Sequence, residues 1–187
     1  MNAATGVLTA AASPAPAPDR PRSLAVDPSG RFLYLTTATP FSSDTLFLYT
    51  VDARTGVLTK ASGSAFDPAF AAAAANFRPD AVSFDPSGRF AFVADRPGRT
   101  GASSLGYRVF PLQSSGRLGP SNLGPFTTEG RDPVALALDP AGRFAYILDA
   151  GTSTLEAFAV DPATGALSPI ASPVSTARYA NVVVVSP

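Results

Sequence analysis

Short apolar runs alternate along the chain with polar turns, and two turn sequences recur in strict order. The first turn reads Asp-Pro-(Ser/Ala)-Gly-Arg-Phe and occupies residues 27–32, 85–90 and 139–144. The second reads Thr-Gly-x-Leu and begins at Thr5, Thr55 and Thr164, with a weaker copy, Ser-Gly-Arg-Leu, at Ser115. Copies of the first turn start 58 and then 54 residues apart. Two alternating turns at this spacing predict an internal structural repeat.

The apolar runs on either side of the first turn predict β-hairpins. Asp at the first corner, Pro at the second and Gly at the fourth are the preferences of a type I turn. Before the turn, Leu24 and Val26 alternate with Ser23 and Ala25, so large and small side chains occupy the two faces. Such a strand needs cover on both faces. Third strands are expected at residues 45–51, 105–112 and 154–160. The glycine of the second turn then leads into a fourth strand.

We therefore predict an all-β fold of β-propeller blades: three complete four-stranded antiparallel blades plus an extra strand at each end. The blades are expected at about residues 21–70, 78–127 and 131–177 of a single repeat domain, residues 1–187. Residues 1–20 would end a preceding blade and residues 178–187 would start a following one. A two-sheet sandwich is the alternative, although it does not require one turn at a fixed period.

The number of blades leaves two interpretations of the chain. Propellers close with about four to eight blades, so three blades form an open arc or are completed by oligomerisation. The chain is then either a piece of a longer protein or one of several chains that build a ring. Four consecutive valines, Val182 to Val185, would form an inner strand that a partner covers or that stays an exposed edge.

Composition excludes several classes of function. The 187 residues are 45% hydrophobic and 15% charged, with no net charge, so the chain is globular and no nucleic-acid partner is expected. It has no cysteine and no histidine, which excludes disulfides, Ser-His-Asp triads and imidazole-bound zinc. No cofactor, metal site or membrane span is expected. No signal peptide is visible, and the compartment, cytoplasmic or periplasmic and secreted, stays open.

Several recurring residues favour structural roles. The turn aspartates Asp27, Asp85 and Asp139 are expected to cap backbone N–H groups. Arg31, Arg89 and Arg143 are expected to pair with those aspartates. The aromatic residues at alternating strand positions are expected to form core between blades; they are Tyr34, Tyr49, Tyr107, Tyr146, Phe32, Phe90, Phe92 and Phe144. Residues 66–77 would form an insertion with a short helical turn, and residues 95–104 a long loop.

Arginines precede every predicted inner strand, and they are the candidate ligand-binding residues. The candidate set is Arg22, Arg78, Arg131 and Arg178, with Tyr179 beside the last. In a closed ring these guanidinium groups would surround one channel mouth. Their planar fork suits carboxylate or phosphate, which predicts a small anionic ligand such as a sugar acid, lactone or phosphosugar. The alternative is that they are loop arginines paired with nearby acids: Asp19, Asp80, Asp132 and Glu129.

The repeat resembles the blades of the bacterial lactonase-type propellers, the typically seven-bladed relatives of 6-phosphogluconolactonase. Residues 26–34, 51–58 and 160–167 carry the resemblance. It implies a propeller and a sugar-lactone hydrolase. Family members typically place a histidine after the Pro-Arg pair of the inner strand, where this chain has Ser23. Their second strand often ends near an Asn-Glu pair, absent at the corresponding Thr37, Asp95 and Asp149. No catalytic residue is therefore carried over.

Three functions follow from these observations. The first is a lactonase-like module that acts as a binding or interaction scaffold for a small anionic ligand or a partner protein. The second is a hydrolase of a sugar lactone, active when the ring is complete. The third is a purely structural array of repeats. Consumption of base with a panel of lactones distinguishes the second from the others.

Overall fold

A computed structural model describes residues 15, 17–37, 46–63, 65–66, 78–95, 106–120, 123–126, 132–178 and 180–185. Within these ranges the chain forms thirteen β-strands and no helix. No helix in these ranges is long and apolar enough to cross a membrane. The prediction of an all-β fold is confirmed.

Twelve of the strands form three four-stranded antiparallel sheets, which we call blades 1, 2 and 3. Blade 1 contains β1 (Pro21–Val26), β2 (Phe32–Thr37), β3 (Leu46–Val51) and β4 (Leu58–Lys60). Blade 2 contains β5 (Pro79–Phe84), β6 (Phe90–Asp95), β7 (Gly106–Pro111) and β8 (Leu123–Phe126). Blade 3 contains β9 (Pro133–Leu138), β10 (Phe144–Asp149), β11 (Thr154–Val160) and β12 (Leu167–Pro169). The strands pair in chain order, and a short β13 (Val174–Ser175) also pairs with β11. Open antiparallel blades are as predicted.

The first turn is held by the carboxylate of its aspartate. In blade 1 the backbone N–H of Phe32 donates to Asp27 Oδ1 at 2.8 Å, and the N–H of Gly30 donates to the Asp27 carbonyl at 2.9 Å. Gly30 has a φ of +70°, which glycine adopts without steric cost. Asp85 and Asp139 accept the corresponding bonds in blades 2 and 3. The predicted capping role of the three aspartates is confirmed.

The arginine of the first turn lies over the ring of the phenylalanine that follows it. The three arginine-to-ring distances are 5.2 Å for Arg31, 5.3 Å for Arg89 and 5.3 Å for Arg143, within the range of a cation–π contact. Arg143 also pairs with Asp139 at 3.7 Å, as expected. The Arg89 side chain donates instead to the carbonyl of Pro162 in blade 3. This arginine therefore joins neighbouring blades.

The hydrophobic core lies between the blades, in two layers. Tyr34 and Leu48 of blade 1 pack with Val93 and Phe110 of blade 2 in the first layer. The second layer joins blades 2 and 3 and contains Phe92, Tyr107, Val109, Leu136, Ile147 and Phe158. Blade 2 thus buries large side chains on both faces, as the pattern of its strands predicted. Most of the predicted aromatic core is buried, whereas Phe90, Phe144 and Tyr146 are half-buried.

Several expectations concern the chain ends and the loops. Residues 1–14 and 16 of the predicted preceding blade, residues 67–77 of the predicted insertion and residues 96–105 lie outside the described residues. Residues 181–185 form no strand, contrary to the predicted inner strand. A β-strand needs a hydrogen-bonded neighbour, and this segment pairs with none of the described strands. Val182 and Val184 are 70% and 79% exposed.

Candidate functional site at the inner-strand starts

A repeated clamp holds the start of each inner strand. Pro21, Pro79 and Pro133 open the inner strands opposite the last residues of the second strands, which are Thr37, Asp95 and Asp149. In blade 2 the backbone N–H of Arg78 donates to Asp95 Oδ1 at 3.0 Å. In blade 3 the N–H of Asp132 donates to Asp149 Oδ2 at 2.8 Å. Both carboxylates are fully buried, so the inner-strand starts are fixed in place.

The blade 2 clamp contains an ion pair as well. Arg108 Nε lies 3.2 Å from Asp95 Oδ2, and the Arg108 side chain is 20% exposed. The Asp95 carboxylate therefore accepts from both a guanidinium and a backbone amide, which compensates the cost of burying its charge. This interaction stabilises the rim of the blade on which the adjacent inner strand begins.

Blade 1 uses a threonine hydroxyl at the neighbouring position. Thr36 Oγ1 accepts from the backbone N–H of Ser23 at 3.0 Å and donates to the carbonyl of Asp80 at 2.8 Å. Because Ser23 belongs to β1 and Asp80 to β5, the hydroxyl joins the inner strands of two blades. The side chains on either side of this bond are thereby held at a fixed spacing.

A cavity of about 450 Å³ lies where the three inner strands and residues 181–183 converge. It is the channel of the propeller arc. The residue after each inner-strand proline lines it: Arg22 in blade 1, Asp80 in blade 2 and Val134 in blade 3. Asn181 lines it beside them. These residues occupy equivalent positions of the sequence repeat, and they line one cavity with a cation, an anion, an apolar group and an amide.

Arg22 and Asp80 form an ion pair across the boundary between blades 1 and 2. Arg22 Nη1 donates to Asp80 Oδ1, with the Arg22 side chain 35% exposed and that of Asp80 7% exposed. A guanidinium has five N–H donors in a fixed plane, and this contact uses one nitrogen. Arg22 therefore keeps donors for a ligand oxygen while Asp80 holds its orientation.

The structure places the predicted ligand-binding arginines in different surroundings. Arg22 lines the channel, and the half-buried Arg78 anchors the rim through its backbone N–H. Arg178 lines a second cavity of about 520 Å³ together with Thr152, Ser153 and Thr176. Arg131 and Tyr179 lie outside the described residues. A ring of arginines around one mouth thus stays a prediction, with Arg22 in the channel and Arg178 in a separate cavity.

Two of the channel residues, Asp80 and Asn181, had no predicted ligand-binding role. Asp80 entered only as an acid that could neutralise an arginine, and that pairing is the one that forms with Arg22. Asn181 was not singled out. The signal for both was their position in the sequence repeat, since Asp80 lies five residues before Asp85 and Asn181 five residues before Ser186, as Arg22 lies five residues before Asp27.

One further electrostatic feature lies between the blades and not in the channel, the Tyr107 hydroxyl beside Glu156. Burial raises the pKa of the Tyr107 hydroxyl, and the nearby Glu156 raises it further. Both residues are buried on the blade 2 to blade 3 side. No group of three or more acidic side chains able to hold a metal ion occurs among the described residues.

Comparison with solved structures shows the same fold. A protein from Lactobacillus plantarum is 23% identical, with a TM-score of 0.61, over 83% of this chain and 42% of that one. A periplasmic gluconolactonase of Pseudomonas aeruginosa is 24% identical, with a TM-score of 0.59, over 83% and 40%. A 6-phosphogluconolactonase-like protein of Bacteroides uniformis is 18% identical, with a TM-score of 0.60, over 83% and 40%. The chain therefore spans about two fifths of the length of these structures.

Comparison of the sequence with known proteins identifies a family but no individual relative. No curated protein matches the sequence significantly. The family described as lactonase, 7-bladed β-propeller, matches residues 64–184, about two thirds of the chain. The match covers blades 2 and 3 and continues through Arg178 into the final segment. The chain therefore belongs to the family of seven-bladed β-propeller lactonases.

Proposed function

We propose that this protein binds a small sugar acid or sugar lactone in the channel of the propeller. The observation that carries the proposal is the Arg22–Asp80 pair beside Asn181 at the wall of the 450 Å³ cavity. A cavity of this volume is in the range of small-molecule sites, about 300–1,000 Å³. Membership of a lactonase family, and structural likeness to a protein named as a gluconolactonase, support this class of ligand.

The three polar side chains match the groups of such a ligand. The Arg22 guanidinium donates to a carboxylate, a phosphate or a lactone carbonyl. The Asp80 carboxylate accepts from sugar hydroxyls, and the Asn181 amide both donates and accepts. Val134 and the small Ala135 provide an apolar surface for the ring carbons. Further blades complete the channel wall, because a propeller needs more than three.

Tests of binding begin with the Arg22 guanidinium. We expect gluconate and 6-phosphogluconate to bind the purified protein in calorimetry, and Arg22→Ala to weaken binding at least about tenfold, since a hydrogen bond to a charged group contributes about 1.5–3 kcal/mol. Arg31→Ala is the matched control, because Arg31 lies at the first turn, over the Phe32 ring. Equal affinities for Arg22→Ala and the unsubstituted protein would contradict the site, as would the absence of saturable binding.

Hydrolysis of the bound lactone is the second candidate function. A carboxylate and a guanidinium in one cavity can serve ester hydrolysis as a proton acceptor and as a stabiliser of the developing oxyanion. Water attacks the lactone carbonyl carbon and gives its proton to Asp80. The bond from that carbon to the ring oxygen then breaks, and Asp80 returns the proton to the ring oxygen, which leaves as a hydroxyl. The product is the open sugar acid.

Consumption of base with gluconolactone, corrected for spontaneous opening without protein, tests the hydrolase. We expect turnover that Asp80→Asn abolishes while gluconate still binds. Binding without turnover in the unsubstituted protein would reject hydrolysis and retain the binding function. Turnover that Asp80→Asn leaves intact would remove Asp80 from the mechanism.

A further inference from the structure

The second cavity, of about 520 Å³, belongs to blade 3, and its described lining shares no residue with that of the channel. One wall is the turn between β10 and β11, and the other is β13 with the residues that follow it. Asp149 at the end of β10 pairs with Pro133 at the start of β9, so this turn lies on the rim at which the inner strands begin. The cavity is therefore a separate feature of the rim that holds the channel site.

Hydrogen bonds hold the two walls of this cavity in place. β13 pairs with β11, and next to this pair the N–H of Thr176 donates to the Ser153 carbonyl at 2.8 Å. At the start of the turn, Asp149 Oδ1 accepts from the N–H groups of Gly151 and Thr152 at 2.8 and 3.2 Å. The Asp149 carboxylate is fully buried. The cavity is thus pre-formed, which lowers the entropic cost of binding a ligand there.

The polar side chains that line the cavity are all able to donate hydrogen bonds. They are four hydroxyl groups and one guanidinium, those of Thr152, Ser153, Ser175, Thr176 and Arg178. Among the described residues, no carboxylate, side-chain amide or aromatic ring lines it. A guanidinium only donates, and each hydroxyl has one proton to give. The lining lacks the carboxylates and amides that would accept from the hydroxyls of a neutral sugar, and it therefore favours an oxyanion.

Three of these donors are not used by the protein itself. Within the described part of the chain, no hydrogen bond or ion pair engages the side chains of Ser153, Ser175 or Arg178. The Asp149 carboxylate does not neutralise Arg178, since its oxygens accept from the N–H groups of the turn and of Asp132. The exposed Arg178 guanidinium and the two hydroxyls are therefore available to one ligand.

Ser153 keeps its hydroxyl at a position where the backbone favours glycine. Its φ is +56°, in the left-handed region. The first turns of the blades place glycine in this region, with φ values of +70° at Gly30, +71° at Gly88 and +68° at Gly142. Of the described residues other than glycine, only Ser153 and Arg20 have a positive φ. Strained backbone of this kind concentrates at binding sites, and a serine that glycine could replace without strain indicates a use for its side chain.

We infer that this cavity binds a phosphate group, as the free ion or as a monoester. A carboxylate has two oxygens, which one guanidinium fork can engage by itself, whereas a phosphate has at least three acceptor oxygens. Arg178 donates to two of them, and the hydroxyls of Ser153 and Ser175 donate to the rest. The site uses no residue of the channel, so it goes beyond the proposed binding of a sugar acid and does not depend on it.

Titration of the isotope-labelled chain with inorganic phosphate, followed by NMR at constant ionic strength, tests the site. We expect saturable shifts of the Ser153 and Thr176 amide signals, while the signals of Ser23 and Ala81 report on the channel separately. Methyl phosphate distinguishes the two sources of the group: tighter binding identifies a monoester, and equal or weaker binding identifies the free ion. The absence of a saturable shift at Ser153 and Thr176 with either compound would overturn the inference.

Substitution of Arg178 tests the charged donor. Arg178→Gln should weaken phosphate binding, read from the Ser153 signal, at least about tenfold, because it removes the hydrogen bonds of a charged group. Arg54→Gln removes the same charge from the exposed second turn of blade 1 and is the matched control, which should leave the affinity unchanged. Arg22→Ala, which tests the channel site, should also leave it unchanged, so the two sites can fail separately. Equal losses from Arg178→Gln and Arg54→Gln would indicate attraction by net charge alone and would overturn the inference.

Ser153→Gly separates contact with the ligand from a structural role. Glycine adopts a φ of +56° without strain, so the variant should resist urea at least as well as the unsubstituted chain. We expect it to bind phosphate about threefold or more weakly nevertheless, because one donor is lost. A stable variant with weakened binding is the result that a merely structural serine would not give. Undiminished phosphate affinity in Ser153→Gly would overturn the arrangement inferred for this site.

Discussion

Substitution of Gly116 by alanine measures how much the boundary between blades 1 and 2 contributes to stability. Gly116 has a φ of +78°, and an added Cβ would lie 2.5 Å from Phe32 Cδ1. The left-handed backbone costs alanine about 1–2 kcal/mol. Forcing a methyl group into a packed contact costs about 1–3 kcal/mol more. We therefore expect Gly116→Ala to lower the free energy of unfolding by about 2–5 kcal/mol.

Gly63→Ala separates the two contributions. Gly63 has nearly the same φ, +77°, and no described atom lies within 4 Å of its built Cβ, so only the backbone cost of about 1–2 kcal/mol applies. Urea unfolding followed by circular dichroism gives both free energies, and their difference of about 1–3 kcal/mol is the steric part. If the two variants lost equal stability, the contact between Gly116 and Phe32 would not constrain the boundary, and the reasoning from turn glycines would fail.

Three other changes test the clamp, the first turn and the blade contact. Asp95→Ala should cost about 3–5 kcal/mol in urea unfolding, because it removes the buried carboxylate that accepts from the Arg108 guanidinium and from the Arg78 N–H; the exposed Asp52→Ala should cost less. Burial opposes ionisation of Asp139, but N–H bonds from Phe144, Arg143 and Ala141 and the Arg143 charge lower its pKa overall. Its contribution is therefore present above the unfolded pKa of about 3.9 and lost as the pH falls through the lower folded value. Unfolding measured from pH 5 to pH 2.5 should show this loss, and Asp139→Asn should reduce the slope. Tyr34→Phe should cost about 1 kcal/mol in the same assay, since it removes the bond to the Gly116 carbonyl; no loss would contradict that bond.

The sequence predicts the blades well because their determinants are local. A type I turn with aspartate first and glycine fourth is decided within six residues, and the bonds to Asp27 and the φ of Gly30 are those the turn requires. The alternation of large and small side chains likewise predicted that blade 2 is covered on both faces, as Val93 and Phe92 show by facing opposite layers. Neither inference needs knowledge of a distant part of the chain.

The candidate site was harder to predict because it depends on contacts between blades. Arg22 and Asp80 are 58 residues apart, and only the packing of β1 beside β5 brings them together. Arginines close in sequence to inner strands looked equivalent, yet Arg22 lines the channel while Arg178 lines another cavity. The side chain that points into the channel is set by the position after the inner-strand proline, and that position is not always arginine.

The residues that hold the fold and those of the proposed ligand site occupy different positions of the repeat. Turn residues are the same in all three blades because every boundary needs the same glycine, proline and phenylalanine contacts. The channel position carries Arg22, Asp80 and Val134, with Asn181 beside them, and the asymmetric ligand that we propose would present different groups to each blade. The recurring residues thus belong to the scaffold, whereas the residues that differ at equivalent positions line the proposed site. If Arg22→Ala weakens gluconate binding while Arg31→Ala does not, the non-recurring arginine binds the ligand and the recurring one belongs to the fold.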